Sequence, residues 1–252
     1  QFLAACDEFY HCVIKRDRIS TGLPIAIDAT CSGMQILAGL AKDKSTAELV
    51  NVTKSDRPQD AYKVVAELAK PQCPKQIQPY MDRKTVKRTV MTIPYNAKPF
   101  SNRSYIREAL REKGYMPESG ELGETVTAVR NALSNKFPGP MNVMKWIESE
   151  VSKAIKRGTT ELKWVTPSGF VVSQRIFKKN VERITLQVLG QCKMHVADGD
   201  TNKVDKARHK AATAPNLIHS LDASLLCLSA LDFNYPIALI HDSVLCRATD
   251  MT

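Results

Sequence analysis

The chain of 252 residues is 43% hydrophobic and 25% charged, which argues against disorder and suits one large or two modest folding units. Lys and Arg number 36 against 26 Asp and Glu, and this net charge of +10 favours polyanionic partners such as nucleic acid, anionic lipid or nucleotide. Seven scattered cysteines without a C-x-x-C pair argue against a disulfide framework or structural zinc site, so we expect a reducing, intracellular compartment. No apolar run approaches the roughly 18 to 20 residues that cross a bilayer, so we expect no membrane segment.

The first elements in chain order are a helix, a turn and a strand. Residues 1–15 carry apolar residues at helical spacing. The apolar run 25–27 predicts a short buried strand that ends at Asp28, after which Thr30 or Ser32 can cap another helix. Asp28 is therefore expected at the carboxyl end of a buried strand.

Two further helices follow in the first half of the chain. Residues 55–70 combine an N-cap, an early proline and apolar residues three and four apart. In the next helix Arg83 and Lys87 share one face, and Tyr95 lies further along the same side. Pro94 should kink or end this helix, because its ring removes a backbone donor.

The second half of the chain changes from helical to alternating periodicity. Residues 124–139 and 141–158 predict amphipathic helices. Alternation predicts strands within 162–177 and 183–197, and the polar stretch 198–210 then predicts a long exposed loop.

The last elements are a helix over 214–233, with His219 one turn in, and a β-hairpin over 235–249. The tight turn of this hairpin carries Asp242, so Asp28 and Asp242 each lie at the end of a short strand. If the strands are neighbours, the two carboxylates converge, and such a pair is tolerated only by sharing a proton or by binding cations. With oxygen ligands and a phosphate-rich substrate the natural cation is Mg²⁺, and two such ions can serve phosphoryl transfer.

Three stretches resemble the motifs of a known family. "DATCSGMQ", "RKTVKRTVMTIPY" and "ALIHDS" resemble motifs A, B and C of the single-subunit DNA-directed RNA polymerases of the T7 phage and mitochondrial type. The resemblance continues through "WVTPSGF", "LGQ" and "APNLIHSLDAS", in the family's order. Compactness and the absence of long insertions favour a phage member.

The resemblance implies an α+β, predominantly helical chain with the right-hand polymerase fold. Residues 1–56 would form the first part of the palm and 220–252 the second. The helical fingers would span 57–219 and include a promoter-reading hairpin at about 170–206. Both chain ends look cut from something longer, so we expect the thumb and the amino-terminal domain to be absent.

The same resemblance implies roles for residues of the catalytic site. Asp28 and Asp242 would hold two Mg²⁺ ions, with the backbone carbonyl of Ala29 as a further ligand. Lys87 would neutralise the triphosphate and serve catalysis, while Arg83 helps to hold the phosphates. These assignments describe a nucleotidyltransferase.

Other residues would bind the sugar and the template. Tyr95 and His219 would bracket the ribose and recognise its 2′-hydroxyl. Lys193 and His195, two apart on a strand, would share one face and contact DNA bases, with Thr185 nearby. The sequence also departs from the family, because Ala29 replaces a common glycine, and Pro94 and Asn96 stand where many members have a small or aliphatic residue and a glycine.

The implied reaction is attack of an RNA 3′-hydroxyl on the α-phosphorus of a ribonucleoside triphosphate chosen by a DNA template, with release of pyrophosphate. The expected partners are template and promoter DNA, nascent RNA and ribonucleotides, and the full-length protein would be a monomer. It would act in the host cytoplasm if phage, or in the mitochondrial matrix if organellar.

Two alternatives remain open. A family A DNA polymerase shares this architecture, but such enzymes typically carry a glutamate where this chain has Gly33 and HDE where it has Ser243 after Asp242. A non-catalytic basic nucleic-acid-binding module would explain the charge, but it has no use for two converging carboxylates.

Overall fold

The computed structural model describes residues 2–187 and 190–250. Within these residues the chain is mostly helical, with small antiparallel sheets, which confirms the α+β class with predominant helix. None of the helices in these two ranges is long and apolar enough to cross a membrane.

The α-helices of the described residues are between 6 and 26 residues long. They are α1 (Phe2–Phe9), α2 (Ser32–Ala41), α3 (Lys44–Leu49), α4 (Ala61–Ala69), α5 (Arg83–Thr92), α6 (Pro99–Glu112), α7 (Ser119–Lys136), α8 (Pro138–Lys156) and α9 (Lys206–Leu231). A π-helical segment, Tyr10–Lys15, follows α1 directly.

The strands form separate antiparallel sheets. They are β1 (Ile25–Asp28), β2 (Leu162–Val165), β3 (Val171–Gln174), β4 (Phe177–Gln187), β5 (Gln191–Val204), β6 (Ile237–Ile240) and β7 (Ser243–Cys246). β2 pairs with β3, β4 pairs with β5, and the three-stranded sheet has the order β1-β7-β6.

The main hydrophobic core lies among the helices α2, α4, α5, α6 and α7. Leu37, Val65, Val86, Leu110 and Val129 are fully buried there. The apolar positions of each helix recur three and four residues apart, so each helix packs one apolar face against the other helices. This packing holds α2 and α5 in place, and these two helices border the site described below.

Helix starts follow side-chain caps that differ in part from the expected ones. The helix predicted over 55–70 begins at Ala61, because the Asp60 carboxylate accepts hydrogen bonds from the backbone N–H groups of Tyr62 and Lys63, both at 3.1 Å. Neither Thr30 nor Ser32 caps α2, which begins after Cys31. The Ser32 hydroxyl is consequently available for another contact.

The stretch 198–210 is not the long exposed loop that its polarity predicts. Strand β5 continues to Val204 and α9 begins at Lys206. Asp205 caps this helix by accepting from the Arg208 N–H at 3.0 Å. The prediction is wrong because the β4–β5 ribbon is exposed along most of its length, so its strands do not need apolar alternation.

The prediction of a buried strand before Asp28 is also wrong. All four residues of β1 are exposed, with Ile25 at 47% and Ile27 at 49%. β1 lies at an edge, β7 is the central strand, and no helix of the described ranges packs extensively against this sheet. An apolar run thus predicts a strand, but it does not determine whether other elements bury that strand.

Candidate active site

Strand pairing brings Asp28 and Asp242 to the same end of the three-stranded sheet. Asp28 is the last residue of β1 and lies opposite Ser243, the first residue of β7. The Ser243 hydroxyl donates a hydrogen bond to Asp28 Oδ1 at 3.1 Å. Asp242 immediately precedes Ser243 in the tight β6–β7 turn, where His241 has a left-handed backbone with φ of 57°. The two carboxylates therefore border the same space.

That space is a cleft of about 370 Å³ between the sheet end, α2, α5 and α9. All of the site residues that we expect from the sequence line it, except Lys193 and His195. The lining includes Asp28, Ala29, Arg83, Lys87, Tyr95, His219 and Asp242. The cleft thus brings together carboxylates, cations and aromatic rings that lie far apart in the chain.

Helix α5 supplies the cations. Its N-cap Asp82 accepts from the Thr85 N–H at 3.0 Å, and this cap fixes where the helix begins. α5 ends at Thr92, just before Pro94, which confirms the predicted end. Arg83 and Lys87, four residues apart, both reach the cleft from this helix.

Arg83 is held by two residues that sequence reasoning missed. Its Nε donates to Asp60 Oδ2 at 2.6 Å, and its guanidinium lies 5.4 Å from the centre of the Tyr62 ring. The buried Tyr62 donates its hydroxyl to the Thr30 carbonyl at 2.8 Å, which also fixes the loop after Asp28. The α5 salt bridges within the described residues include Arg83 but not Lys87, so the Lys87 ammonium is the freer cation.

Tyr95 and His219 form a stacked pair in the lining of the cleft. Their ring centres are 4.5 Å apart with an interplanar angle of 18°. His241 meets His219 edge-on at 5.8 Å. Burial, followed by the charge of His241, lowers the pKa of His219, and burial raises the pKa of Tyr95. Both rings are therefore neutral near pH 7 and suited to contact a sugar rather than a phosphate.

Asp222 places a third carboxylate beside the cleft. It is 7% exposed and lies three residues after His219 on α9, so both face the same side of the helix. Burial is the largest cause that raises its pKa, followed by the charge of Asp242, while His241 and His219 lower it to a smaller extent. Sequence reasoning missed Asp222, although an aspartate one turn after a site histidine is a usable signal.

Asn96 ties the end of α5 to α9. Its backbone is left-handed, with φ of 64°, and its Nδ2 donates to the Ala211 carbonyl at 2.9 Å. That carbonyl lacks its usual helical donor because Pro215, four residues later, has no N–H. Asn96 thus replaces the missing backbone bond and holds the Tyr95 segment against α9.

Lys193 and His195 lie on β5, away from the cleft. Lys193 pairs with Thr185 and His195 pairs with Arg183, so these four exposed side chains share one face of the ribbon. The intervening positions, Ile184 and Met194 among them, place apolar side chains on the other face. The face of the β4–β5 ribbon that carries Lys193 and His195 is therefore a polar, partly basic surface separate from the cleft.

The cleft offers hard oxygen donors of the kind that Mg²⁺ prefers. The carboxylates of Asp28 and Asp242 and the backbone of Ala29 border it together. No group of three or more His, Cys, Asp and Glu side chains in residues 2–187 and 190–250 is arranged to hold a metal. A pair of carboxylates still fits Mg²⁺, which is commonly bound by one or two carboxylates, with water and substrate phosphates completing its shell.

Carboxylates facing cations across a cleft are typical of proteins that act on phosphate esters. Over residues 1–252 the chain matches the model of the family described as DNA-dependent RNA polymerase. The chain therefore belongs to this family.

Individual relatives agree with the family model. The chain is 31% identical to the chloroplastic DNA-directed RNA polymerase 3 of Nicotiana sylvestris over 280 residues, and 30% identical to the mitochondrial DNA-directed RNA polymerase of Mus musculus over 249 residues. These matches cover 100% and 92% of this chain, but 28% and 20% of the relatives. The mitochondrial DNA-directed RNA polymerase 1B of Nicotiana tabacum is 29% identical over 91% of the chain, and 25% of that relative is covered. The chain thus spans about a quarter of the length of these relatives.

Proposed function

We propose that this chain is the catalytic part of an enzyme that synthesises RNA on a DNA template. The observation that carries the proposal is the cleft itself, where Asp28 and Asp242 line the same space as Arg83 and Lys87, together with a stacked Tyr95–His219 pair. Family membership supports the reaction class, and the net charge of +10 suits nucleic-acid substrates. The relatives named above are organellar, and the phage origin expected from the sequence stays a prediction.

Within this proposal the chain divides into the palm and the fingers of a polymerase. Residues 1–56 and 220–252 form the palm, which bears Asp28 and Asp242. Residues 57–219 form the fingers, which bear the cations of α5 and the β4–β5 ribbon. The proposal is supported by the three-stranded sheet, which unites strands from both ends of the chain.

The cations of α5 hold the triphosphate of the incoming ribonucleotide. The free Lys87 ammonium neutralises phosphate charge and can donate a proton to the departing pyrophosphate. Arg83, oriented by Asp60, supplies a planar donor group for phosphate oxygens. Asp28, Ala29 and Asp242 would hold Mg²⁺, and the bound ions supply charge neutralisation and activation of the attacking 3′-hydroxyl.

The aromatic pair orients the sugar. Tyr95 and His219 line the cleft as a stacked pair and would bracket the ribose, which would bring the 2′-hydroxyl near the Tyr95 hydroxyl. Gly33 leaves the Tyr95 ring room, because a Cβ at this position would lie 3.1 Å from the ring. This arrangement favours ribonucleotides over the deoxynucleotides that a family A DNA polymerase uses.

The decisive experiment replaces each carboxylate in the full-length polymerase that contains this chain. Asp28→Asn and Asp242→Asn should abolish Mg²⁺-dependent extension of a primed template with ribonucleotides. Binding of DNA without metal should be unchanged or tighter, because each replacement removes a negative charge that repels phosphate. Asp232→Asn, an exposed aspartate just after α9, is the matched control and should retain extension.

Three results would contradict the proposal. Extension that survives either cleft replacement would show that the carboxylates are not catalytic. Equal use of deoxynucleotides and ribonucleotides by the unaltered enzyme would favour a DNA polymerase. A loss of metal-free DNA binding together with extension in either variant would contradict the assignment of Asp28 and Asp242 as the catalytic pair.

A further inference from the structure

The β4–β5 ribbon is attached to the rest of the described structure at its base. β4 is exposed from Lys178 onwards, and β5 is exposed over most of its length. Among residues 2–187 and 190–250, no helix packs extensively along these two strands. At the base, Val204 packs against a small apolar cluster of α8 and α9. The direction of the ribbon is therefore set by the contacts at its base.

A histidine of α9 holds the segment that leads into this base. The backbone N–H of Ile176, just before β4, donates to His209 Nε2 at 3.0 Å. The backbone N–H of Asp205, just before α9, donates to the Ile176 carbonyl at 3.0 Å. Both backbone polar groups of Ile176 are thus bonded to the start of α9.

Burial suits His209 to accept this bond. The residue is 1% exposed, and burial lowers the pKa of its ring, so the ring is neutral near pH 7. A neutral imidazole has one nitrogen that accepts a hydrogen bond, and the Ile176 N–H occupies that nitrogen. A side chain without an acceptor at this position would leave the Ile176 N–H without its partner.

Gln174 attaches the same segment to α9 a second time. It is 5% exposed, ends β3 two residues before Ile176, and lies against the His209 ring. Its Nε2 donates to Thr213 Oγ1 at 3.0 Å, and its Oε1 accepts from Asn216 Nδ2 at 2.8 Å. The contacts on α9 are three and four residues apart, so they lie on one face of the helix. The segment before the ribbon is thus fixed to that face.

The length of the ribbon amplifies any movement at its base. Thr185 and its strand partner Lys193 lie nine residues along β4 from Ile176, a distance of about 30 Å in an extended strand. A rotation of about 10° at the base would displace them by about 5 Å, which is more than the length of a hydrogen bond. A fixed base is therefore needed if Lys193 and His195 are to meet DNA in one orientation.

We propose that His209, supported by Gln174, is a positioning residue that sets the direction of the β4–β5 ribbon for DNA binding. The inference rests on the proposed function and extends it, because it assigns a role to a buried network outside the cleft. His209 is too deeply buried to reach DNA itself. It acts through the Ile176 N–H, and the ribbon carries the effect to Lys193.

The test compares His209→Gln, which keeps an acceptor that can reach the Ile176 N–H, with His209→Leu, which has none. Each is combined with Lys193→Ala in the full-length polymerase that contains this chain, and binding of a labelled duplex is titrated at several salt concentrations. In the unaltered enzyme and in His209→Gln, Lys193→Ala should reduce the slope of log K against log salt concentration by about 1 in magnitude. In His209→Leu it should change the slope little, because the displaced ribbon no longer presents Lys193 to the duplex.

Hydrogen exchange reports on the bond itself. The Ile176 N–H should exchange faster in His209→Leu than in the unaltered enzyme, and at nearly the unaltered rate in His209→Gln. Extension of a primed template should persist in both variants, because His209 lies outside the lining of the cleft. If His209→Leu does not fold, Thr213→Val replaces it, since it removes a partner of Gln174 and should also reduce the effect of Lys193→Ala.

Ser220→Ala is the matched control. Ser220 lies on the same helix, but its hydroxyl accepts from Trp164 Nε1 at 2.9 Å and so holds β2 instead of the ribbon. Lys193→Ala should keep its full effect on the salt slope in this background.

Three outcomes would overturn the inference. An equal effect of Lys193→Ala in the unaltered enzyme and in His209→Leu would show that the base does not control the ribbon. Loss of that effect in His209→Gln as well would show that the acceptor is not the cause. No effect of Lys193→Ala in the unaltered enzyme would remove the ribbon from DNA binding.

The inference and the proposed function fail separately. In each of those three cases, Mg²⁺-dependent extension with ribonucleotides by the unaltered enzyme would leave the proposed function standing. If the unaltered enzyme shows no such extension but the effect of Lys193→Ala still depends on His209, the proposed function fails and the positioning role remains.

Discussion

Gly33 and Gly39 both lie on α2, but Gly33 is closely packed whereas Gly39 faces open space. A Cβ at Gly33 would lie 3.0 Å from the Pro94 Cβ and 3.1 Å from the Tyr95 hydroxyl oxygen, whereas one at Gly39 meets nothing within 4 Å. Gly39→Ala should raise the free energy of unfolding by about 0.5 to 1 kcal/mol, because alanine favours helix. Gly33→Ala should lower it by about 1 to 3 kcal/mol through overpacking and displace Tyr95.

Urea unfolding of the two variants measures this difference. Gly33→Ala should also reduce ribonucleotide incorporation, while Gly39→Ala leaves it unchanged. Equal stabilisation by both replacements would show that the Tyr95 ring does not pack against α2.

The residues that could be predicted from the sequence are those with local signals. Asp28 and Asp242 interrupt apolar runs, and Arg83 and Lys87 share one helical face. Ser32 carries no such signal, because it resembles an ordinary cap, and the only signal of Asp222 is its place one turn after His219. The contact of Ser32 with Tyr95 joins segments that are distant in the chain, so it could not be read from local sequence.

At the scale of elements, the Asn96 bond compensates for the proline within α9. Asn96→Gly keeps a residue that tolerates φ of 64° but removes the donor to Ala211, so we expect a loss of about 1 kcal/mol in the free energy of unfolding. Asn96→Ala adds left-handed strain of about 1 to 2 kcal/mol and should be the less stable variant. Thermal or urea unfolding measures both losses.

A Pro215→Ala background is the control for this explanation. Alanine restores a backbone N–H that can donate to Ala211, so Asn96→Gly should cost less there than in the unaltered chain. An unchanged cost would show that Asn96 acts through its other contacts, such as acceptance from Lys98 Nζ at 2.6 Å.

The predictions of elements are correct where the sequence carries a local stop signal. They are wrong where the outcome depends on whether another element packs against a strand. Pro94 and the turn at Asp242 mark ends that any surrounding structure must respect. The predictions for the apolar strand β1 and the polar strand β5 are wrong, because the alternation rule assumes that one face of a strand is buried against other elements. Neither strand has such a cover within the described residues, so their patterns carry little information about burial.

At the scale of the whole molecule, the cleft lies where the three-stranded sheet meets the helical core. Its walls come from segments near both ends and from the middle of the chain. The long-range pairing of β1 with β7 sets the distance between the carboxylates, and the core sets the position of α5. Local sequence could therefore identify the chemical groups, but only the assembled fold determines that they face one another.

The basic charge of the molecule predicts DNA binding that weakens with salt. Each phosphate neutralised contributes about −0.9 to the slope of log K against log salt concentration on duplex DNA. Lys193 lies on the polar face of the β4–β5 ribbon beside Thr185 and His195, so Lys193→Ala should reduce the magnitude of the slope by about 1. Titrations of a labelled duplex at several salt concentrations measure it.

Lys179 provides a control on the same ribbon. Its ammonium lies 2.7 Å from the Asp200 carboxylate, and this pairing limits what it can contribute to phosphate binding. Lys179→Ala should therefore change the slope much less than Lys193→Ala. If both replacements reduce the slope equally, charge alone attracts DNA to the ribbon, whereas a change at Lys193 only would place the duplex on the face that Lys193 shares with His195.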